Sequence, residues 1–275
     1  MLDPEWRHCM KRFAHKVVLV AGGASGIGAA SAIRLAEEGA QVAIADLNHD
    51  AAALTASRIT ESGGSAIAIP MDISSEDAVR DAVGGTIKEF GRLHGLFNVA
   101  ADLRDDIVFS DTNPVDIDMS VFDHTLAVNL RGYVLTCRYA IPEILSAGGG
   151  AIVNTSSIAS LAGSSRGLSY GVSKAGVNAL TRHVAKRWGR ENLRCNAIAP
   201  GSVFVERKRA RGDVDAVPDS VLTPHLGRPE DIAAVAAFLL SDDAAYVTGL
   251  VIPADGGELS HFDSGNRATA PQVPQ

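Results

Sequence analysis

Tyr170 and Lys174 are the residues whose types and spacing suggest chemistry most directly. They stand at the two ends of Tyr170-Gly171-Val172-Ser173-Lys174, and residues at this spacing share one face of a helix. A free tyrosine has a pKa of about 10, so it is a poor base at neutral pH unless a nearby cation favours its phenolate form. The pair therefore predicts acid–base chemistry, although on spacing alone a packed tyrosine beside a solvated lysine is the more common explanation.

Two serines bring hydroxyl groups to a related part of the fold. Ser156 and Ser157 follow the apolar segment 151–153, which is typical of a buried strand. Such a strand delivers the residues after it to the carboxyl edge of a parallel sheet, where ligand crevices lie. Either serine could therefore bind a substrate oxygen at that edge.

The stretch 16–28 has the pattern of a strand that feeds a helix through a glycine-rich turn. Branched apolar residues at 17–20 precede the turn, and a helix is predicted from Ser25 to Glu38, with Gly39 ending it. Glycines at 22, 26 and 28 let the backbone approach a pyrophosphate, and the first N–H groups of the helix then face the phosphates. Taken alone, the pattern also fits an ordinary strand–turn–helix.

Asp46 ends the next predicted strand, at 41–45, and follows Gly28 by eighteen residues. A carboxylate there can accept hydrogen bonds from both adenosine ribose hydroxyls and would repel a 2′-phosphate. The flanking residues 45–48 contain no arginine to receive that phosphate, so NAD is favoured over NADP. The alternative is a solvated strand-end aspartate or a helix cap. Asp72, after the third strand, is a second candidate, which could contact adenine or cap a helix.

The composition disfavours several other classes of protein. The chain has 275 residues, 46% of them hydrophobic and 21% charged, which is typical of a globular protein with a large core. A net charge of −7 disfavours a nucleic-acid partner. Cys9, Cys137 and Cys195 form no C-x-x-C pair and favour a reducing compartment over disulfides or a zinc site. Without a signal-like start or a membrane-length apolar run, we expect a cytoplasmic protein with no membrane partner.

Strand-like and helix-like segments alternate along the chain. Further strands are predicted at 66–69, 94–99, 151–154, 193–198 and 250–252. Helices are predicted at 50–62, from a Ser74 cap to Gly91, and at 120–145, 170–190 and 229–241. Repeated βα units imply an α/β fold, a doubly wound and mostly parallel sheet between two layers of helices. We expect one domain at 14–258, an N-terminal extension at 1–13 and a C-terminal tail at 259–275.

Together these motifs resemble the short-chain dehydrogenase/reductase family over about residues 16–257. The motifs follow the family's order: Gly22-x-x-x-Gly26-x-Gly28, Asn98-Val99-Ala100-Ala101, Asn129, Ser157, Tyr170, Lys174, Pro200-Gly201, the segment 227–232 and Asp255-Gly256-Gly257. The resemblance implies a Rossmann fold, a nicotinamide cofactor and a homo-oligomer, either tetramer or dimer. The implied cofactor contacts are Gly22, Ser25, Gly26, Ile27, Gly28, Asp46, Leu47, Asp72, Ile73, Asn98, Ala100, Tyr170, Lys174, Pro200, Gly201 and Val203.

The family's mechanism would give each catalytic residue one role. Tyr170 would remove the hydroxyl proton of an alcohol as hydride passes to the nicotinamide. Lys174 would lower the pKa of the tyrosine and bind the nicotinamide ribose. Ser157 would bind the substrate oxygen, and it is preferred to Ser156 because its separation from Tyr170 suits the family pattern. Asn129 would hold a water molecule in a proton relay.

Three positions depart from the family's pattern. Ala21 replaces a threonine that ties the glycine loop to the fourth strand, and Ala101 replaces a glycine, which would crowd the cofactor slightly. Both changes predict lower rigidity or affinity. Val205 stands where a threonine often contacts the nicotinamide carboxamide, which leaves that contact open.

The segments expected to surround the substrate favour different classes of substrate. The small apolar segment 158–163 would line a pocket for a neutral, compact substrate. The basic segment 206–211 lies in a substrate lid at about 202–226, where it is either solvated or positioned to receive an acidic or carrier-linked substrate. The six aspartates from Asp102 to Asp118 are irregularly spaced, so a solvated acidic loop is favoured over a metal site, and no metal is expected.

The leading hypothesis is an NAD-dependent dehydrogenase of a secondary alcohol, cyclic alcohols included. The enzymatic alternative is a 3-oxoacyl or other ketone reductase that uses NADPH. The alternative from another class is a non-catalytic NAD-binding scaffold or sensor.

Overall fold

Seven parallel strands form a sheet at the centre of the protein, within the residues that the computed structural model describes, 11–204 and 217–261. The strands are β1 (Val17–Ala21), β2 (Gln41–Asp46), β3 (Ser65–Pro70), β4 (Gly95–Asn98), β5 (Gly150–Thr155), β6 (Leu193–Pro200) and β7 (Val251–Ala254). Their order across the sheet is β3-β2-β1-β4-β5-β6-β7. The last residue of β1, Ala21, pairs with Ala45 of β2 and with Asn98 of β4, so the carboxyl ends of these three strands lie together.

Helices cover both faces of this sheet. They are α1 (Gly26–Glu37), α2 (His49–Glu61), α3 (Glu76–Phe90), α4 (Asp105–Ser110), α5 (Met119–Leu126), α6 (Gly132–Ser146), α7 (Leu168–Trp188) and α8 (Pro229–Leu240). Successive residues of each strand point to opposite faces, so Val17 and Leu19 pack into one apolar cluster with α3, α6 and α7. Val18 and Val20 pack into the other, with α1, α2 and α8. The predicted three-layer α/β fold is confirmed.

The order of the strands fixes where a ligand crevice lies. From β1 the chain moves outward through β2 to β3 and then returns to place β4 on the other side of β1. In doubly wound sheets, ligands bind outside the carboxyl ends of the strands at such a switch point. The strand ends that carry the predicted site residues therefore border one crevice.

Two local predictions are wrong. The helix expected at 120–145 is interrupted, because a π-helical turn at Ala127–Arg131 separates α5 from α6. One extra residue in a single turn hardly changes an apolar pattern, so periodicity does not reveal it. The cap of α3 is Ser75, whose side chain accepts a hydrogen bond from the Ala78 N–H, whereas the Ser74 hydroxyl donates to Asp72.

Some predictions fall outside the described residues. They concern Val205, the basic segment 206–211, Cys9 and the tail beyond residue 261. In the part of the chain that the structure does describe, no helix combines the length and apolar character needed to span a bilayer.

Candidate active site

The turn between β1 and α1 forms the first wall of the crevice. Gly22 has a φ of 101°, a conformation that residues with a side chain rarely adopt. A Cβ added to Gly28 would lie 1.9 Å from the Gly22 carbonyl oxygen, so the helix packs directly against the turn. Ser25 is the N-cap of α1 but makes no capping hydrogen bond, and the first turn of the helix holds no acidic residue. The first N–H groups of α1 therefore remain available to an anion from outside the chain.

Backbone hydrogen bonds hold this turn where the family's threonine is missing. The Ala21 carbonyl accepts hydrogen bonds from the N–H groups of Val99 and Ala100, at 2.9 and 2.8 Å. The Gly22 N–H donates to the Ala45 carbonyl at 2.7 Å. The loop after β4 is thus attached to the glycine turn without a side-chain hydroxyl at position 21.

Asp46 lies at the end of β2, facing the glycine turn. Its Oδ2 accepts the Ala24 N–H and its Oδ1 accepts the Asn48 N–H, both at 2.9 Å. It does not cap α2, because that role belongs to Asn48, whose side chain accepts the Ala51 N–H. Each carboxylate oxygen has a second lone pair, so Asp46 can still accept hydrogen bonds from a ligand in the crevice.

The remaining predicted cofactor residues lie at the ends of the other strands, but in different environments. Leu47 is exposed and Ile73 is buried, with Asp72 exposed between β3 and α3. Asn98 is fully buried, its side chain binds Asn154 and Thr136 within the fold, and its strand is paired on both sides, so it offers a ligand no exposed surface here. Ile27 is partly buried against the apolar cluster that α1 shares with α2 and α8, Ala100 follows β4, Pro200 ends β6, and Gly201 and Val203 follow it at the same edge.

Ser157 and Tyr170 come together at the centre of this edge. Ser157 ends the segment after β5, and Tyr170 lies in the first turn of α7. Burial raises the pKa of Tyr170, while a hydrogen bond with the Ser157 hydroxyl acts to lower it. The net shift is upward, so in this structure the phenol is a weaker acid than the sequence hypothesis requires. The charge of Lys174 does not cancel the upward shift that burial gives to the pKa of Tyr170.

Lys174 is almost fully buried and lies beside two aromatic rings. Its Nζ donates to the Thr155 carbonyl at 2.8 Å and lies 5.7 Å from the centroid of the Tyr170 ring and 5.1 Å from that of Tyr133. Burial lowers its pKa to about 7. The ammonium is therefore only partly protonated at neutral pH. Tyr133, which sequence reasoning missed, also donates its hydroxyl to the Ala100 carbonyl at 3.0 Å.

Asn129 lies in the π-helical turn, with no exposed surface. Its Oδ1 accepts the Asp102 N–H at 3.2 Å, and its Nδ2 donates to the Ser173 hydroxyl at 3.4 Å. It therefore links the loop after β4 to the helix that carries Tyr170 and Lys174. The π-turn and these contacts aim Asn129 into the interior of the site rather than toward solvent.

The neighbouring Ser156 faces away from the site. Its hydroxyl lies 2.6 Å from Oδ1 of Asn178 on α7, and 2.9 Å from the Ser160 hydroxyl. The Asn178 amide also donates to Ser160 at 2.8 Å. This buried set fixes the end of β5 to α7 and leaves Ser157 as the serine that meets Tyr170. Nothing in the sequence singles out Ser160 or Asn178, because the contacts join distant segments.

The acidic segment is more ordered than predicted. It contains α4, and its residue Asp111 is buried. Burial acts to raise the pKa of Asp102, but hydrogen bonds from Arg104 and His124 hold that pKa well below its usual range. Among residues 11–204 and 217–261, no group of three or more histidine, cysteine or acidic side chains has the arrangement of a metal site.

Comparisons with known proteins identify the family to which the chain belongs. The family model described as enoyl-(acyl carrier protein) reductase matches residues 22–258. A probable short-chain type dehydrogenase/reductase from Bradyrhizobium diazoefficiens is 41% identical over 95% of each chain. The 7alpha-hydroxysteroid dehydrogenase of Bacteroides fragilis is 35% identical, with 92% of this chain and 97% of that protein covered. A solved structure of 7alpha-hydroxysteroid dehydrogenase with NADH and 7-oxo glycochenodeoxycholic acid has a TM-score of 0.81 at 29% identity, covering 94% of this chain and 98% of that one.

The chain therefore belongs to the short-chain dehydrogenase/reductase family of oxidoreductases, which bind a nicotinamide cofactor. The uncapped start of α1 and the free lone pairs of Asp46 fit the diphosphate and ribose of such a cofactor.

Proposed function

We propose that this protein oxidises a secondary alcohol to a ketone with NAD, and catalyses the reverse reaction, using Tyr170 as general acid and base. The observation that carries the proposal is the meeting of Ser157, Tyr170 and Lys174 at the same edge of the sheet as the uncapped N-terminus of α1. A hydroxyl, a phenol and a buried ammonium at the cofactor crevice form the set that alcohol–ketone interconversion needs.

Each side chain has a distinct part in this reaction. In the oxidation direction, the phenolate of Tyr170 takes the proton of the substrate hydroxyl, and the Ser157 hydroxyl donates a hydrogen bond to the same oxygen as the carbonyl forms. The bound nicotinamide supplies the site that accepts the hydride. Lys174 stabilises the phenolate electrostatically when it is protonated. Reduction uses the same groups with the proton moving from the phenol to the ketone oxygen.

Asn129 connects this chemistry to the rest of the site. Its hydrogen bonds to the Asp102 N–H and the Ser173 hydroxyl hold it against α7, the helix that carries Lys174. We therefore assign to it the holding of a water molecule in the path by which Lys174 exchanges protons with solvent. The partly protonated state of Lys174 suits that exchange, because a pKa of about 7 lets the amine release and regain a proton near neutral pH.

Asp46 supports the choice of NAD. Both of its oxygens are fixed by backbone N–H groups, so the carboxylate cannot easily turn away from a 2′-phosphate. A negatively charged carboxylate facing that phosphate would weaken NADP binding by like-charge repulsion. The NADH bound in the solved relative is consistent with this choice.

A cyclic secondary alcohol is the proposed substrate class. The relatives named for 7alpha-hydroxysteroids act, by their names, at a hydroxyl carried on a ring. In this chain the segment 158–163 beside Ser157 is small and mainly apolar, which suits a neutral ring.

A screen in both directions with both cofactors tests the proposal. Cyclic alcohols from cyclohexanol to hydroxysteroids, with matched acyclic alcohols, should produce NADH absorbance, and the corresponding ketones should consume it. Tyr170→Phe should lower kcat by about a thousandfold or more while NADH still binds, because only the proton donor and acceptor is removed. Tyr139→Phe is the matched control, since Tyr139 lies on α6 and its hydroxyl donates to Glu76 of α3, outside the candidate site. Retained turnover in Tyr170→Phe would refute the assignment of the base.

The description of the matching family model favours a second candidate, a reductase of acyl-carrier thioesters. Strong activity on such thioesters, with a preference for NADPH, would select it. Binding of NADH with no turnover on any carbonyl or alcohol would instead indicate a non-catalytic cofactor-binding protein.

We also propose that the protein is a homo-oligomer. A shallow, mainly apolar groove runs along α5 and α6, lined by Asp123, Leu126, Ala127, Leu130, Arg131 and Val134. Association of two copies of the chain along this groove would remove its apolar surface from water, which favours such contact.

A further inference from the structure

Asp111 is a buried carboxylate with an unusual set of partners. It is only 4% exposed and ends the short helix α4, in the segment between β4 and α5. Its Oδ1 accepts the Ser169 N–H and its Oδ2 accepts the Tyr170 N–H, both at 2.9 Å. Its backbone carbonyl accepts the Gly167 N–H at 2.8 Å. Three hydrogen bonds, from Gly167, Ser169 and Tyr170, therefore hold the start of α7 to this one residue.

These contacts supply hydrogen-bond acceptors that the N-cap residue of α7 lacks. The N-cap of α7 is Gly167, in a left-handed conformation with a φ of 77° and no side chain to accept hydrogen bonds. The first N–H groups of a helix have no partner within it, and a carboxylate both accepts them and interacts favourably with the helix dipole. Asp111 supplies that carboxylate from a distant segment, and one of its two bonds goes to the backbone of Tyr170 itself.

We propose that Asp111 is a positioning residue for the reaction of Tyr170, an inference that rests on the proposed function. By holding the Tyr170 backbone, the carboxylate fixes the phenol against the Ser157 hydroxyl. The same segment also reaches Asn129 through the Asp102 N–H, so it holds the catalytic helix and the π-turn together. Asp111 hydrogen-bonds the start of α7 and not the glycine turn or Asp46, so we expect its loss to affect the chemical step more than the binding of the diphosphate and adenosine of the cofactor.

Kinetics of three variants test this role. In Asp111→Ala, kcat should fall about 100-fold, because a displacement of roughly 1 Å in a reacting group has an effect of that size. The KM for NAD and the Kd for NADH should change by less than about threefold. Asp111→Asn keeps the shape and one acceptor oxygen, so its kcat should lie between those of the wild type and the alanine variant.

Asp118→Ala is the matched control. Asp118 lies in the same segment and caps α5 by accepting the Ser120 N–H at 2.8 Å, but it makes no contact of this kind with α7. It should keep kcat close to that of the wild type. Wild-type kcat in Asp111→Ala, or an equal loss of kcat in Asp111→Ala and Asp118→Ala, would overturn the proposal. If Asp111→Ala fails to fold, Asp111→Asn decides by the same criteria.

Hydrogen–deuterium exchange separates this inference from the proposed function. A peptide covering 168–174 should exchange faster in both Asp111 variants, whereas one covering 119–126 should exchange faster only in Asp118→Ala. Unchanged exchange at 168–174 would overturn the contact itself. Absence of turnover in the wild type on every alcohol and ketone would refute the proposed function while leaving the exchange result intact.

Discussion

The buried Lys174 shows how this site holds a charge that its surroundings oppose. The ammonium has one carbonyl as its hydrogen-bond acceptor and two aromatic rings as neighbours, and burial lowers its pKa from 10.5 to about 7. Lysine in an unfolded chain keeps the higher pKa, so between these values the unfolded state binds more protons than the native state. Lys174 therefore lowers the free energy of unfolding at neutral pH, although the proposed reaction requires it.

This cost predicts a specific dependence of stability on pH. Because the lysine pKa is depressed by folding, its destabilising effect is complete at pH 7 and below and disappears as pH rises toward 10.5. The free energy of unfolding of the wild type, minus that of Lys174→Met, should therefore rise between pH 7 and 9.5, by at most about 1.4 kcal/mol per pH unit. Urea denaturation across that range measures it. A difference that stays flat or falls would contradict the burial of a titrating amine.

A second prediction at the residue scale concerns the choice of cofactor. Asp46→Asn removes the charge that repels a 2′-phosphate while keeping an acceptor oxygen for one of the two backbone N–H groups. The ratio of kcat/KM for NAD to that for NADP should fall by about tenfold, which corresponds to roughly 1.4 kcal/mol of lost discrimination.

Asp50→Asn is the control for this change, because Asp50 lies in the first turn of the neighbouring helix α2 and is exposed. Its cofactor ratio should match the wild type. An unchanged ratio in Asp46→Asn would show that another group selects the cofactor.

At the scale of elements, the start of α1 depends on contact between two pieces of backbone. Gly28 packs against the Gly22 carbonyl so closely that no side chain fits between them. The same close approach leaves the first N–H groups of the helix open on the side of the crevice. Local packing and anion binding therefore depend on the same absence of a Cβ.

Alanine substitutions at Gly28 and Gly84 compare a glycine that close packing requires with one that has open space around it. Gly28→Ala should weaken NADH binding at least tenfold, because the new methyl group must displace the glycine turn. Gly84→Ala in α3 meets nothing within 4 Å and should leave NADH binding unchanged while stabilising the protein by about 0.5 to 1 kcal/mol. Fluorescence titration and urea denaturation measure the two effects. Equal NADH affinity in both variants would contradict the role of the turn.

At the scale of the whole molecule, the parallel sheet gathers residues that are far apart in the chain. Every strand presents its carboxyl end to one edge, so Asp46, Ser157 and the start of α7 lie along the same edge although more than a hundred residues separate the first from the last. The apolar groove on α5 and α6 lies away from this edge, and it is the surface that we propose for association between copies of the chain.

The proposed oligomer can be tested on that surface. Val134 lines the apolar groove and is 44% exposed, so Val134→Asp would place a charge in an interface formed there. Light scattering after gel filtration should show a smaller particle than the wild type. Val115→Asp, at a position already 88% exposed, should leave the mass unchanged. A monomeric wild type, or an unchanged mass for Val134→Asp, would contradict the proposal.

The sequence by itself determined the fold and the types of residue at the site. Apolar runs, glycine turns and the spacing of Tyr170 and Lys174 are local signals, since neighbours along a strand or helix are fixed by its period. Those signals were sufficient to predict the parallel sheet and the edge at which the candidate site lies.

Only the tertiary structure decided the environment of each group. The π-turn at Asn129, the inward hydrogen bonds of Ser156 and Asn98, and the capping of α7 by Asp111 all join segments that are distant in the chain. The pKa values of Tyr170 and Lys174 likewise depend on burial, which is a property of everything packed around them. The spacing of residues along the chain does not specify which distant segments pack around a group. The protonation and hydrogen bonding of the candidate site therefore follow only from the tertiary structure.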